Sequence, residues 1–332
     1  MFFKPDILAL FVGALLVSSM LLYADYFGVK ILRHWDIRSG SELQLALERK
    51  TYLITTLMAY AFAFQAASLF LFICTADHLH VFFTGAMCAA GSLNVNPWGY
   101  PAAVFKVVNF LLAGMWLTLN YADNQGYDYP LVRQKYLFLL AITPMILAEA
   151  AVQGAYFLDL KPEVITSCCG TLFTSVAAKG FFSELAILPP LPTQIACFAG
   201  LAATLITGIF FYRQSKGGYL FSSISLLTFI ISWLALFSFI CLYIYELPTH
   251  HCPFCILHPE YHYIGYLFYL LLLGGGLAGL GVGLLMPFRK TTSLEKNLPA
   301  FQKRLTLISL FSYVLFAALA TYEIVFSNLT LK

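Results

Sequence analysis

Apolar residues in this chain come in long, nearly unbroken runs separated by short polar connections. A helix that crosses a bilayer needs about 20 mostly apolar residues. Runs of that kind lie at approximately Ile7–Phe27, Tyr52–Cys74, Ala102–Ala122, Tyr136–Leu158, Gln194–Tyr212, Tyr219–Glu246, Tyr261–Met286 and Leu305–Phe326. The pattern predicts an all-α polytopic membrane protein, a bundle of about eight transmembrane helices. The alternating ten-residue segments of a membrane β-barrel do not occur. Among the connections, Ser39–Lys50 has helical spacing, with Leu43, Leu47 and Glu48 on one amphipathic turn. It reads as a surface helix at the headgroups.

Composition agrees. Hydrophobic residues make up 60% of the 332 and charged residues only 11%, where about 25% charged is usual for a soluble domain. That leaves too little polar surface for a water-soluble globule and excludes a disordered chain. A net charge of +3 gives no basic patch, so nucleic acid is not expected as a partner. The lipid bilayer is.

Lysine and arginine orient such proteins, being enriched on the cytoplasmic side. Lys30, Arg33, Arg38, Arg49 and Lys50 fall between the first and second runs, and Arg133 and Lys135 between the third and fourth. Arg213 and Lys216 lie between the fifth and sixth, and Arg289, Lys290, Lys296, Lys303 and Arg304 between the seventh and eighth. The other side keeps Lys4, Lys106, Lys161, Lys179 and Lys332. Both termini are therefore expected outside, and the first run reads as a retained helix, since its charges follow it rather than precede it. Val164–Leu188 carries Lys179 and Glu184 and is followed by Pro189, Pro190 and Pro192. It reads as an outer re-entrant or interfacial segment at about 164–188, within a single transmembrane helical domain over 1–332. A bacterial inner membrane is the expected location, with the outer loops in the periplasm.

Candidate chemistry is concentrated in eight cysteines and seven histidines. On this map Cys88, Cys168, Cys169, Cys252 and Cys255 lie in three outer loops. Cys74, Cys197 and Cys241 sit near outer helix ends and read as small apolar packers. His78, His80, His250, His251, His258 and His262 are also outside; His34 is not. The densest stretch is His250-His251-Cys252-Pro253-Phe254-Cys255-Ile256-Leu257-His258-Pro259-Glu260-Tyr261-His262. It reads as the end of an outer loop and the opening of the seventh helix. There, unpaired backbone N–H groups favour a thiolate, and a Cys-x-x-Cys pair is suited to thiol–disulfide exchange.

Cys252-Pro253-Phe254-Cys255, together with further cysteines in outer loops, resembles the site of membrane thiol–disulfide oxidoreductases of the vitamin K epoxide reductase and DsbB type. The resemblance implies a bound quinone facing Cys255 and exchange between Cys252 and the shuttle candidates Cys88, Cys168 and Cys169. It also implies a soluble periplasmic or extracellular thioredoxin-like partner.

Two other readings stay open. Cys252, Cys255, His258 and His262 have a spacing that suits Zn²⁺ or a copper ion, with His258 and His262 four apart on one helical face. His250, His251, His78 and His80 are further donors, and non-covalent haem is a variant of this reading. Alternatively, the cysteines form structural disulfides in an accessory subunit of a larger membrane complex. Inside the bundle, Glu149 is a costly carboxylate and a proton-carrier candidate, or else the partner of Lys106 in a structural pair. Gln65, Asn109 and Gln153 read as interhelical glue. Gly275, Gly279 and Gly283, four apart, predict a close-packing helix face.

Overall fold

A computed structural model describes residues 4–36, 39–162, 164–166, 189–248 and 250–329. Among them the regular structure is helical throughout. Eight helices are long and apolar enough to cross a membrane, consistent with an integral membrane protein. They are α1 (Pro5–His34), α2 (Glu42–His78), α4 (Gly99–Asp123) and α5 (Val132–Leu158), then α6 (Pro190–Gln214), α7 (Gly218–Tyr245), α8 (Ile264–Leu285) and α9 (Leu298–Phe326). A short α3 (Ala89–Leu93) lies between α2 and α4. All eight apolar runs are thus helices. Of the segment at 164–188, all but the first three residues lie outside the described residues.

Local chemistry sets several helix ends. Pro5 opens α1 with Asp6 in its first turn, and Arg33 and His34 occupy the last. Acid at the start and base at the end both complement the helix dipole. The expected surface helix at Ser39–Lys50 is not a separate element. Ser41 caps α2 by accepting from the Gln44 backbone N–H at 3.3 Å, and no glycine or proline interrupts the chain from Glu42 to His78. One helix of 37 residues results. At 1.5 Å per residue it is roughly 55 Å long, well beyond a hydrocarbon core of about 30 Å, so its polar first turns project past the apolar zone.

The chain divides into two compact units, one of residues 1–166 and 288–298, the other of 167–287 and 299–332. In the first unit α1, α2, α4 and α5 pack in a ring, each against two neighbours. Its core contains Leu21, Ile31, Phe62, Trp116, Tyr136 and Leu139, all nearly inaccessible. Phe62 and Trp116 rings lie 4.9 Å apart.

Polar residues tie this ring together. Glu149 and Lys106, both about 2% exposed, form an ion pair of 2.6 Å. Gln65 and Asn109 donate to Glu149 Oε2 at 2.6 and 2.5 Å, and Lys106 donates to Ser68 at 3.0 Å. Gln153 donates to the Leu10 carbonyl at 3.2 Å. A second buried pair joins Lys135 to Asp123 at 2.6 Å, with Asn120 accepting from Lys135 at 3.0 Å. Lys135 is thus not a free charge of the connection between α4 and α5: it is 2% exposed and paired with Asp123.

In the second unit α7 packs against both α6 and α8. The α8 glycines make the close approach that their spacing predicts. A Cβ at Gly279 would lie 2.0 Å from Ser225 Oγ, and one at Gly283 2.4 Å from Ser222 Oγ. Tyr313 of α9 donates to the Ser225 carbonyl at 3.0 Å, and Ser309 to that of Gly275 at 2.9 Å.

Candidate thiol site

The connection between α7 and α8 carries the Cys-x-x-Cys motif. The sulfurs of Cys252 and Cys255 lie within 4.8 Å of each other. Cys252 is buried at 7% exposure and Cys255 is half-buried. An S–S bond of about 2.05 Å needs only a local closing movement from there.

The motif does not open the seventh helix. Cys255–Leu257 forms one short 3-10 turn and Pro259–Tyr261 another, and α8 starts only at Ile264. Proline explains the break: His258 precedes Pro259 and is extended (φ −87°, ψ 159°), as pre-proline sterics favour. His262 and Tyr263 follow with φ of 54° and 57°, left-handed conformations that interrupt a right-handed helix. The helix-terminal stabilisation expected for the thiolate is therefore not available to Cys252. Nor do His258 and His262 share a helical face, since both sit at the boundaries of the second 3-10 turn.

Side chains of the flanking helices hold the loop instead. Tyr245, the last residue of α7, donates its hydroxyl to the Cys252 carbonyl at 2.5 Å. Tyr269 of α8 donates to the Pro253 carbonyl at 2.6 Å. His251 places Nδ1 2.9 Å from the Phe237 carbonyl. A carbonyl only accepts, so Nδ1 carries the proton and Nε2 of the neutral ring is the acceptor. Phe237 belongs to a π-helical turn, Leu236–Ile240, within α7. Such turns break the regular backbone ladder and recur at functional sites. Gly265 permits the loop to lie on α8: a Cβ there would meet Ile256 Cγ1 at 2.6 Å. The His250 ring stands edge-on to Tyr245 at 4.4 Å, and Tyr261 does so at 4.7 Å. Burial, with His251 adding like charge, holds the His250 imidazole below its ordinary pKa. Burial, then the negative character of Cys255 and Glu260, pushes the Tyr261 phenol up.

The other predicted residues are placed as follows. Cys88 is fully buried at the N-terminal boundary of α3 in the first unit. Cys168 and Cys169 lie outside the described residues. Cys197 and Cys241 are buried packers, as expected. Cys74 is not: it is half-exposed, with Sγ 3.9 Å from His78 Nε2. His78 also lies 3.7 Å from Asp6, and Asp77 accepts from the Ala89 backbone N–H at 3.0 Å. The His80 ring contacts the Asp77 carbonyl. His258 faces Glu260 at 3.9 Å. Among the described residues, none of these histidines belongs to a close-set group of three or more metal-donor side chains.

Tyr245, Tyr269 and the Phe237 carbonyl were not anticipated. Two tyrosines bordering a cysteine loop were a visible signal for the first two; the π-turn left no mark in the pattern of apolar residues. The chain matches no family model, no curated protein and no solved structure.

Proposed function

We propose that the protein is a membrane thiol–disulfide oxidoreductase that exchanges electrons with a quinone at its outer face. One observation carries this reading: two cysteine sulfurs within 4.8 Å in an irregular loop whose backbone is held by Tyr245 and Tyr269. Closing the pair forms one S–S bond and releases two electrons and two protons, which reduce a quinone to its hydroquinone. The reverse reaction opens the pair. Thiol–disulfide exchange through Cys252 passes the disulfide to the loop cysteines Cys88, Cys168 and Cys169, and from them to a soluble thioredoxin-like protein. Glu149, held by Lys106, Gln65 and Asn109, acts in this reading as a packing charge rather than a proton carrier.

The test is a single turnover of the reduced full-length protein in lipid nanodiscs with a short-chain ubiquinone. Peptide mass spectrometry should find a Cys252–Cys255 disulfide formed in step with hydroquinone. Cys252→Ser and Cys255→Ser should each abolish it. If both cysteines stay reduced in the presence of quinone, or hold stoichiometric zinc or copper after purification, the reading is wrong.

A further inference from the structure

The first unit contains a half-open cleft of about 630 Å³ that the thiol chemistry does not use, with Tyr52, Tyr60 and Tyr127 largely exposed along it. It lies against the first half of α2, the end of α4 and the start of α5. Along α2, Glu48, Thr51, Thr55, Ala59 and Ala63 line it. Their spacing of three or four residues makes one helical stripe, roughly 22 Å long at 1.5 Å per residue. Along α2 the lining therefore runs from the charged Glu48 to the apolar Ala63. The cleft's volume is within the usual range for small-molecule sites of about 300–1,000 Å³.

Three features of the lining decide what it can hold. Trp35, Tyr52, Tyr60, Tyr127 and Tyr129 all contribute to the wall. Aromatic faces attract cations by about 0.5–2 kcal/mol each, depending on solvent exposure. The ionisable lining groups are Glu48, Asp128 and Lys135. Lys135 is already paired to Asp123 at 2.6 Å, so the unbalanced charge is negative. Unmet hydrogen-bonding capacity is also present. Asp128 Oδ1 is buried and accepts no hydrogen bond. Glu48 Oε1 accepts from Gln44 at 2.9 Å, which leaves Oε2 for another donor. A buried carboxylate oxygen without a partner is costly, and a cation held beside it offsets that cost by its charge.

We propose that this cleft binds a lipophilic organic cation. Its charged group, an ammonium or an equivalent onium centre, sits between Glu48 and Asp128 within reach of the aromatic rings. Its apolar body lies along the stripe toward Ala63. An anion of the same shape is disfavoured by the two carboxylates. The same chemistry is offered by a free organic cation and by the amine headgroup of a bilayer lipid.

Equilibrium dialysis of radiolabelled tetraphenylphosphonium against the detergent-solubilised full chain tests this. Saturable binding near one per chain is expected, and excess unlabelled tetraphenylarsonium should compete. Tetraphenylborate, of similar shape and opposite charge, should not bind to this site. Asp128→Asn and Glu48→Gln should each raise the Kd about tenfold or more, and Tyr52→Leu should weaken binding where Tyr52→Phe does not. Native mass spectrometry separates the two sources. Displacement of a co-purified phosphatidylethanolamine by tetraphenylphosphonium identifies a lipid headgroup, whereas binding with no lipid displaced identifies a free cation. Non-saturable uptake, or equal affinity in the wild type and the Asp128→Asn, Glu48→Gln double variant, overturns the proposal. Strong competition by tetraphenylborate overturns it without recourse to any variant.

Discussion

Tyr269 donates its hydroxyl to the carbonyl of Pro253 at 2.6 Å, tying the interior of α8 to the residue that follows Cys252. With Tyr245 on the Cys252 carbonyl, two consecutive backbone carbonyls of the motif are fixed by side chains from different helices. Both bonds end on backbone carbonyls of the motif, so both tyrosines are positioning residues for Cys252 and Cys255. Tyr245→Phe and Tyr269→Phe should each cost about 1 kcal/mol of stability, the usual net worth of one hydrogen bond. Each should also loosen the loop, raising the maleimide labelling rate of Cys252 several-fold in the reduced protein. Labelling unchanged in both variants would show that the loop is held by something else.

The buried Glu149–Lys106 pair gives a sharper test of role. Glu149→Gln leaves an ammonium inside the protein without its carboxylate and should lower stability by about 3–5 kcal/mol, as is usual when a buried pair is broken. Lys106→Met alone leaves Glu149 with the Gln65 and Asn109 amides and should cost less. The Glu149→Gln, Lys106→Met double variant should recover most of the loss, because no charge remains to be desolvated. Thermal unfolding in nanodiscs reads the stabilities. Quinone turnover read on the double variant separates a packing charge from a proton carrier, which would stay inactive after stability is restored.

The eight spans were legible in the sequence because each buries its backbone polarity internally and needs only length and apolarity to be seen. The Glu149–Lys106 pair and the amide contacts of Gln65 were legible for a related reason: polar groups in an apolar run must find partners. Residues near span ends were harder to read. Asp123 and Lys135 look like ordinary loop charges by position, and only the return of α5 onto α4 reveals them as a buried pair. The start of α8 was misread because Tyr261, His262 and Tyr263 continue an apolar, aromatic run. Backbone conformation, set by Pro259 and the two left-handed residues, decided the boundary there. The Cys-x-x-Cys pair itself was visible as a motif. Its fixation by Tyr245, Tyr269 and a π-turn carbonyl depends on tertiary contacts that no local pattern encodes.

Gly279 tests the helix seam of the second unit. Its ideal Cβ would lie 2.0 Å from Ser225 Oγ and 2.7 Å from Ser225 Cβ, far inside van der Waals contact. Gly279→Ala should therefore force α7 and α8 apart and cost about 1–3 kcal/mol, the usual range for overpacking. Pairing it with Ser225→Gly removes both clashing atoms and should restore part of the loss. Gly274→Ala provides the control, since its Cβ would meet nothing closer than Ser312 Oγ at 3.9 Å. Equal melting temperatures for Gly279→Ala and Gly274→Ala would refute the seam.

His250 makes the thiol loop sensitive to mild acid. Burial and the neighbouring His251 disfavour the imidazolium, so the folded-state pKa lies below the ordinary value of 6.5. A group with a depressed folded pKa binds more protons when unfolded, and folding stability then rises with pH. The contribution of His250 is complete above about pH 6.5 and is lost as the pH falls toward its folded pKa. Wild-type protein in nanodiscs should therefore lose thermal stability between pH 7 and pH 5 more steeply than His250→Gln, which cannot take up the proton. Glu246 adds to the loss at lower pH. Its carboxylate accepts from the Asn328 backbone and side-chain N–H groups at 2.8 and 3.0 Å, and these bonds hold its pKa below the ordinary carboxylate value. That contribution is present above the unfolded value and disappears as Glu246 protonates, so it falls in a more acidic window than that of His250. Glu246→Gln, which removes the titrating carboxylate held by both bonds, should flatten the acidic limb and leave the limb near neutrality intact. A single limb abolished by either substitution alone would contradict the assignment of two separate groups.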